Sequence, residues 1–368
     1  MTPADLTVLV PVPAPAGFRG EDHRHELTTT ELRDAVAHLA AAHEWSSLHW
    51  PDLLRALVAL GRTDVPLSRL TEGHVDAVRI LGEAGVAPVE GATYGVWASR
   101  SHATGLRARR VGAGGDDGGG GDDGGGGETG GHGDAWVLDG TLRFASGAGV
   151  LDRALVPVWL DESTSVLLDV PVTEWTPDTS AWRTGAMRLS HSHTIHVAEH
   201  RVSARQVGPD GWYLGRAGFF PGGVGVAGVW AGLGARLIDL TAAALASAPP
   251  SPARAPRLGR MRTDLALSLA LVTTAGPRLE TLLAESPRGE AVLAPQELVG
   301  DLHDLSTEVR AGVAAAVLRI AEESRRLVGP AGLAYDEDLT AALHDAELYL
   351  RQQNPDSDAA HLGRRASS

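Results

Sequence analysis

The sequence predicts an α+β protein in which a β-rich middle lies between two helical regions. Apolar residues recur at helical spacing in the first part of the chain, and again from Tyr213 onward. Between these parts, short runs of alternating apolar and polar residues are separated by turn residues. The expected fold is an N-terminal helical domain, a small antiparallel β-barrel or sandwich, and a C-terminal helical bundle.

Changes in composition place the expected boundaries between these parts. A Gly/Asp low-complexity insert interrupts the β-rich part, and it lacks the Gly-Lys-Ser/Thr of a phosphate loop and the spacing of a calcium-binding repeat. A disordered, solvated loop is therefore expected there. The predicted parts are an extended arm at 1–26, a helical domain at 27–91, a β-domain at 92–206 with its insert at 112–133, a helical bundle at 207–353 and a flexible tail at 354–368.

Three helices are expected in the N-terminal part, at 28–42, 50–60 and 70–84. Thr30 is the candidate N-cap of the first helix, because a threonine hydroxyl can accept a hydrogen bond from an N–H of the first turn. Pro51 suits the start of the second helix, where its missing N–H has no helical partner. Gly85 is the candidate residue just after the third helix, where glycine takes the left-handed conformation easily.

Seven short strands are expected in the β-domain, and the clearest signal is the segment 136–148, WVLDGTLRFASGA. Asp139 and Gly140 lie between two alternating runs, and Asp-Gly is a strong signal for a tight hairpin turn. The small residues at 145–148 would let a flat ligand approach the backbone closely. The expected strands cover 92–98, 106–111, 136–138, 142–145, 154–160, 165–170 and 195–202.

Four long helices are expected in the C-terminal part, at 222–248, 261–284, 295–328 and 339–352. The third is rich in Ala, Leu and Val at helical spacing, which predicts a bundle core or an oligomer interface. Gly223, Gly225 and Gly228 match GxGxxG, but no strand precedes them and no acid follows about 20 residues later. Close helix packing is therefore their expected role.

Composition excludes several kinds of chemistry. The 368-residue chain has 32 basic residues and none is lysine, which excludes Schiff-base, P-loop and pyridoxal phosphate lysines. It has no cysteine, which excludes disulfides, thiolate metal sites and cysteine nucleophiles. The net charge of −14 makes nucleic acid and anionic membranes unfavourable partners. The N-terminal segment does not resemble a signal peptide, and the apolar run at 224–240 is too polar to span a bilayer, so a cytoplasmic location is expected.

Two groups of polar residues are candidates for sites, but ordinary surface positions are favoured for both. Four histidines lie in the segment 191–200, HSHTIHVAEH, and only Glu199 is a nearby carboxylate, so a metal site is not expected. Asp345 and Glu347, or the acidic run 336–338, could supply a general acid and base. Carboxylates at this spacing usually lie solvated on a helix surface.

Two stretches resemble the acyl-CoA dehydrogenase family of flavoproteins, which has the same order of helical, β and helical parts. The segment 140–148, GTLRFASGA, is similar to the family's hairpin, a Gly-x-Lys-x-aromatic-x-Thr/Ser-x-Gly/Ala run that lies against the flavin. Arg143 stands near the basic position, Phe144 in place of the usual Trp, and Ser146 at the Thr/Ser. The segment 219–235, FFPGGVGVAGVWAGLGA, is similar to the start of the family's first long C-terminal helix.

The resemblance implies an FAD cofactor in a cleft beside Ser146. Phe144 would support the flat ring, and Ser146 would donate a hydrogen bond near its reactive nitrogen. The resemblance also implies oxidation of an acyl-CoA at the Cα–Cβ bond, with a glutamate as base. Gln353 stands where that glutamate is expected, and an amide cannot act as a base. Glu347 is a substitute only if the register differs by about a turn.

Three functions are consistent with these residues. The first is an acyl-CoA dehydrogenase-like oxidoreductase that acts with FAD on the CH–CH group of an acyl-CoA or similar small molecule. The second is a flavin-dependent monooxygenase or hydroxylase on the same scaffold, since related enzymes lack the catalytic glutamate. The third is a non-catalytic homologue that acts as a partner subunit. The C-terminal helices are expected to form a homo-oligomer or hetero-oligomer.

Overall fold

The computed structural model describes residues 27–99, 104–111, 134–246, 251–286 and 289–367. The predicted N-terminal arm and the Gly/Asp insert lie outside the described residues. Within these ranges the chain forms nine α-helices and seven β-strands. They follow one another as helices, strands and helices, so the predicted α+β class is confirmed.

Three helices come first: α1 (Thr29–Ala40), α2 (Trp50–Thr63) and α3 (Val65–Glu83). Thr28, not Thr30, caps α1. The Thr28 hydroxyl accepts a hydrogen bond from the Glu31 N–H, and the Glu31 carboxylate accepts one from the Thr28 N–H. Helix α3 begins earlier than predicted, because the Asp64 carboxylate accepts a hydrogen bond from the Leu67 N–H and caps it.

The seven strands form one sheet that closes into a small barrel. They are β1 (Tyr94–Val96), β2 (Gly105–Arg110), β3 (Asp134–Ala145), β4 (Arg153–Trp159), β5 (Ser165–Pro171), β6 (Pro177–Asp178) and β7 (His193–Val207). The order β4-β2-β3-β7-β5 returns to β4, because β4 pairs with both β2 and β5. The sequence predicted an antiparallel barrel, but β1 and β2 run parallel to β4.

The segment predicted as a hairpin is a single strand. Asp139 and Gly140 lie inside β3, at a point where its pairing with β7 shifts register, as in a β-bulge. Gly140 has a φ of 134°, and a Cβ at this position would collide with the Gly105 carbonyl of β2. The glycine therefore allows close strand approach, and the prediction of a turn at this dipeptide is wrong.

Six helices complete the described chain: α4 (Trp212–Gly215), α5 (Phe219–Ala244), α6 (Arg254–Leu283), α7 (Gln296–Tyr335), α8 (Glu337–Tyr349) and α9 (Pro355–Ala366). Helix α7 is kinked at Gly329, whose φ is 61°. The sequence predicted that this helix ends at Val328, and the kink lies at the next residue. Assembly through the C-terminal helices stays a prediction.

Helix α9 corrects the predicted flexible tail at 354–368. The Asn354 side chain caps this helix by accepting a hydrogen bond from the Ser357 N–H. Farther along α9, His361 and Arg365 each approach the Asp304 carboxylate of α7 to 2.7 Å. These contacts fasten the end of the chain to the bundle.

Helix α5 is the centre of the helical part. By length and composition it is the one helix among the described residues that could cross a membrane, but 67% of its apolar stretch is buried in this chain, as in a core helix. It touches α2 backbone to backbone. A Cβ at Gly232 would collide with the Val58 carbonyl of α2, and a Cβ at Gly61 of α2 would collide with the Val229 carbonyl of α5.

We expect Gly232→Ala to lower the free energy of unfolding by about 1–3 kcal/mol, because the added methyl group must push α2 and α5 apart. The matched control is Gly259→Ala in α6, where a Cβ meets no atom within 4 Å. That control should be neutral or stabilising by up to about 1 kcal/mol, since alanine favours helix. Urea unfolding of the three proteins measures both effects, and equal stability of the two variants would contradict the close contact.

Candidate functional site

A cavity of about 790 Å³ lies where the barrel meets the helices. Its wall combines residues of α3, the end of β3, the turn at 187–192, the start of α5, and parts of α7 and α8. Ligand-binding cavities in proteins typically measure about 300–1,000 Å³. The cavity therefore has room for a cofactor-sized molecule.

Phe144 forms part of the barrel side of this cavity. Its φ of 57° puts a bulky residue in the left-handed region, which costs about 1–3 kcal/mol. Its side chain remains 51% exposed, and the Trp182 ring lies edge-on with the ring centroids 6.2 Å apart. A strained, half-exposed aromatic ring in a cavity wall is suited to pack against a flat ligand.

Three serine hydroxyls form a hydrogen-bonded chain next to this ring. The Ser146 Oγ lies 2.8 Å from the Ser192 Oγ, which lies 2.7 Å from the Ser190 Oγ. The Ser190 hydroxyl donates to the Met187 carbonyl at 2.6 Å. Since each hydroxyl has one hydrogen, Ser192 must donate to Ser190, and Ser146 must donate to Ser192.

This chain of bonds changes the expected role of Ser146. Its hydrogen is already engaged, so its oxygen is left as an acceptor at the cavity wall. The donor role predicted from the sequence does not fit this arrangement. An N–H group of a bound ligand fits it better.

Helix α3 contributes a charged face. Arg69, Glu72 and Asp76 are spaced at i, i+3 and i+7, and all three line the cavity. The Arg69 guanidinium lies 2.7 Å from the Glu72 carboxylate, whose side chain is 7% exposed. Burial raises the pKa of Glu72 to about 7 in spite of this arginine, and it also raises the pKa of Asp76. Glu72 could therefore exchange a proton near neutral pH.

Arg216, just before α5, extends the charged wall. Its guanidinium lies 2.7 Å from Glu83 and 3.8 Å from Asp76, and its side chain is buried. A Cβ at Gly222 would lie 3.0 Å from the Asp76 carboxylate. The glycine-rich start of α5 thus leaves room for buried charge. A smaller cavity of about 270 Å³ also has Glu72, Asp76 and Arg216 in its wall.

The C-terminal helices supply aromatic and basic groups. Phe220 stacks on His303 with the ring centroids 4.1 Å apart, and the His303 and His361 rings lie 3.8 Å apart. Burial, and secondarily the charge of His361, lower the pKa of His303, which favours its neutral form. Arg310 and Tyr349 also line the cavity.

Solved structures share this architecture across almost the whole chain. TdsC from Paenibacillus sp. A11-2, a dibenzothiophene monooxygenase solved with FMN and indole, has a TM-score of 0.73 at 14% identity, over 98% of this chain and 94% of that chain. Methanesulfinate monooxygenase MsuC from Pseudomonas fluorescens has a TM-score of 0.71 at 13% identity, over 92% and 88%. KijD3, solved with FMN and a dTDP-sugar, has a TM-score of 0.69 at 18% identity, over 92% and 85%. The fold is acyl-CoA dehydrogenase-like.

The acyl-CoA dehydrogenase-like fold confirms the resemblance found in the sequence at the level of architecture. No protein-family model matches the sequence, and no curated protein sequence matches it. Identities of 13–18% establish the fold alone. The chemistry must therefore be argued from the residues of the cavity.

The cavity brings together two of the residues predicted from the sequence, Phe144 and Ser146. Glu347 and Gln353 are not among its lining residues. Helix α8 ends in a 3₁₀ turn at Leu350–Gln352, and Gln352 lines the cavity instead of its neighbour. Gln353 therefore does not line the cavity, although the sequence placed it at the position expected for the base.

Both misplaced residues have other partners. The Gln353 amide donates to the Asp358 carboxylate at 3.0 Å. The Glu347 carboxylate lies 2.6 Å from the Arg351 guanidinium, and this arginine holds its pKa below the usual value. An ionised, half-exposed surface carboxylate outside the cavity is not placed to act as the base.

The other polar candidates have structural roles. The Asp345 carboxylate accepts a hydrogen bond from the Met187 N–H at 2.6 Å and joins α8 to the turn beside the cavity. Asp336 caps α8. The His191 and His193 rings lie 5.2 Å apart, but no group of three or more metal-ligating side chains occurs in the part of the chain that the structure describes.

Sequence reasoning missed the charged face of α3. The available signal was three charged residues, Arg69, Glu72 and Asp76, on one stripe of a helix that carries apolar residues on its other faces. Such a stripe is usually solvated, so the pattern alone does not distinguish a surface from a cavity wall. Only the packing of α3 against the barrel and α5 decides between the two.

We expect Glu72 to make stability fall as pH rises. Its pKa is near 7 in the folded chain and near its ordinary 4.5 in the unfolded chain, so between these values only the folded state holds the proton. Ionisation at higher pH then favours unfolding. The free energy of unfolding of the wild type minus that of Glu72→Gln should decrease by about 3 kcal/mol from pH 4.5 to pH 7. Urea unfolding across this range measures the difference, and a constant difference would contradict the raised pKa.

Proposed function

We propose that the protein is a flavin-dependent monooxygenase that uses reduced FMN and O₂ to oxygenate a small organic molecule. Support comes from the fold, since TdsC and MsuC are monooxygenases by name and TdsC and KijD3 were solved with FMN. FMN rather than the FAD predicted from the sequence is the cofactor in those structures. The residues of this cavity supply the second line of support.

The cavity fits a flavin on three counts. Its volume of about 790 Å³ can hold a tricyclic ring with a small substrate beside it. Phe144 offers an aromatic face in a strained conformation, which a stacked ring would help to stabilise. Ser146 offers a fixed hydrogen-bond acceptor, and flavins carry N–H groups, one of them at the reactive nitrogen of the reduced ring.

The observation that favours a monooxygenase over a dehydrogenase is that the carboxylates of the cavity wall already have partners. Among the described residues, Glu72, Asp76 and Asp358 line the cavity. Each already has a partner, in Arg69, Arg216 and Gln353 respectively. A dehydrogenase needs a carboxylate free to remove a proton from carbon. A monooxygenase has no such need.

In this proposal the protein binds and orients its reactants and limits the access of water. Reduced flavin with O₂ supplies the oxygen-transfer chemistry when it is bound. Phe144 and Trp182 would pack against the ring, and Ser146, held by the serine chain, would accept a hydrogen bond from it. Glu72 can hold or release a proton near neutral pH at the helical wall.

An ¹⁸O₂ experiment tests the function. Protein reconstituted with FMN is reduced under nitrogen and then mixed with ¹⁸O₂ and a panel of small aromatic and aliphatic compounds that includes indole. The proposal predicts a product that carries one ¹⁸O atom. No labelled product from any compound, together with bleaching of oxidised flavin by an acyl-CoA under nitrogen, would overturn it.

A dehydrogenase is the second candidate because of one feature, the raised pKa of Glu72. If Arg69 moved away on substrate binding, this carboxylate could act as the base. Anaerobic bleaching by acyl-CoA that disappears in Glu72→Gln would establish this candidate. Labelled product from ¹⁸O₂ without anaerobic bleaching by any acyl-CoA would exclude this candidate.

We expect Phe144→Ala to weaken FMN binding about tenfold or more, because it removes the aromatic face beside Ser146. Tyr335→Ala is the matched control, since Tyr335 is an 88% exposed aromatic residue outside the cavity. Quenching of flavin fluorescence gives the dissociation constant for each protein. Equal loss in both variants, or no FMN binding by the wild type, would contradict the site.

A further inference from the structure

One part of the cavity wall has more hydrogen-bond donors than acceptors. It is formed by Arg310 of α7 and Tyr349 at the end of α8, which meet at the Trp230 ring of α5. Both Arg310 and Tyr349 line the cavity. The sequence resemblance and the flavin proposal assign no role to either residue.

The Arg310 guanidinium has no carboxylate within 4 Å among the described residues. It lies over the Trp230 ring, with its central carbon 5.0 Å from the ring centroid, and it donates a long hydrogen bond of 3.4 Å to the Gln352 carbonyl. Burial lowers its pKa, whereas the negative charge of Asp358 opposes that change. A guanidinium is always charged in proteins, so one that lines a cavity without a close counter-ion is suited to bind an anion there.

Tyr349 adds a second donor without a partner. Its side chain is 3% exposed, and its hydroxyl has no hydrogen-bond partner among the described residues. Burial raises its pKa, so the phenol keeps its proton and can donate. A buried hydroxyl that lacks a partner is unfavourable, and a hydrogen bond to a ligand oxygen would relieve this.

The neighbouring carboxylates are committed elsewhere. Glu72 faces this part of the wall but is held at 2.7 Å by Arg69. Asp358 accepts a hydrogen bond from Gln353, and its charge also acts on Arg310, with which it forms no ion pair among the described contacts. These groups reduce the local positive charge without occupying the donors of Arg310 and Tyr349.

The start of α5 leaves space for the guanidinium. A Cβ at Gly223 would lie 3.1 Å from Arg310 Nη1 and 2.9 Å from the Ser306 Oγ. Such contacts are tighter than ordinary ones, so a larger residue at this position would displace the arginine. A glycine at position 223 therefore allows Arg310 to keep its place in this part of the wall.

We infer that Arg310 and Tyr349 bind an oxyanion group, such as a carboxylate, on the substrate of the monooxygenase. The inference rests on the proposed function, because the bound acid is a substrate only if the protein is a monooxygenase. The arginine and tyrosine come from helices, whereas the residues proposed to hold the flavin ring come from the barrel. A small organic acid placed between the two would have its anion at the helical wall and its carbon skeleton towards the flavin.

Matched pairs of acids and amides test the inference on the full chain. The probes are benzoate and benzamide, phenylacetate and phenylacetamide, and hexanoate and hexanamide, measured by calorimetry with and without FMN. At least one acid should bind the wild type about tenfold more tightly than its amide. Arg310→Gln should remove this preference. Tyr349→Phe should weaken binding of the acid about threefold to tenfold, and should weaken binding of the amide less, because a hydrogen bond to a charged acceptor is the stronger one.

The control variant is Arg326→Gln, which removes one positive charge from the same helix at an exposed ion pair with Glu322. It should keep the preference for the acid. The inference is overturned if no acid is preferred by the wild type, or if the preference survives Arg310→Gln. If that variant does not fold, as judged by circular dichroism, unchanged acid binding in Tyr349→Phe overturns it instead.

Two further arms separate this inference from its alternatives. If Arg310→Gln weakens binding of FMN but not of riboflavin, the guanidinium serves the cofactor phosphate, and the inference is wrong. If the protein does not bind FMN but prefers an acid through Arg310, the oxyanion site stands and the flavin proposal fails. The two proposals can therefore fail independently.

Discussion

The backbone contact between α2 and α5 is the constraint on which the site depends. Gly61 and Gly232 allow the two helices to touch without intervening side chains. This contact fixes the direction of α5, and so the position of its first turns against α3 and α7. There Gly222 faces Asp76 and Gly223 faces Arg310. The same glycine-rich helix thus forms the core of the bundle and leaves room for charge at the cavity.

The order of secondary structure could be predicted from the sequence because periodicity and turn residues are local signals. Phe144 and Ser146 could be found for the same reason, since both lie in one short motif. The details that failed depend on distant partners. Gly140 was predicted in a turn because its contact with Gly105 of β2 is not visible in the local sequence. The segment of α9 was predicted as a flexible tail because its ion pair with Asp304 is equally distant in sequence.

The helical wall could not be predicted from local patterns. Arg69 and Glu72 have a spacing that is common on solvated helices, and Arg310 and Tyr349 lie 39 positions apart. Their role depends on the tertiary packing, which pairs Arg69 with Glu72 and places Arg310 without a close carboxylate among the described residues. The sequence also placed Gln353 at the site, whereas a 3₁₀ turn puts Gln352 there. Helix ends are where a register error of one residue arises most easily.

The two sides of the cavity make different demands on a ligand. The barrel side offers an aromatic ring and a serine chain whose hydrogen bonds run in one direction. The helical side offers buried charge, with Glu72 tuned towards neutral pH. A flat cofactor on the first side and a polar substrate on the second satisfy both.

A crystal structure of the protein grown with FMN tests this account most directly. The account predicts the flavin ring in contact with Phe144, with an N–H directed to the Ser146 oxygen, and a flavin bound elsewhere or no bound flavin would contradict it.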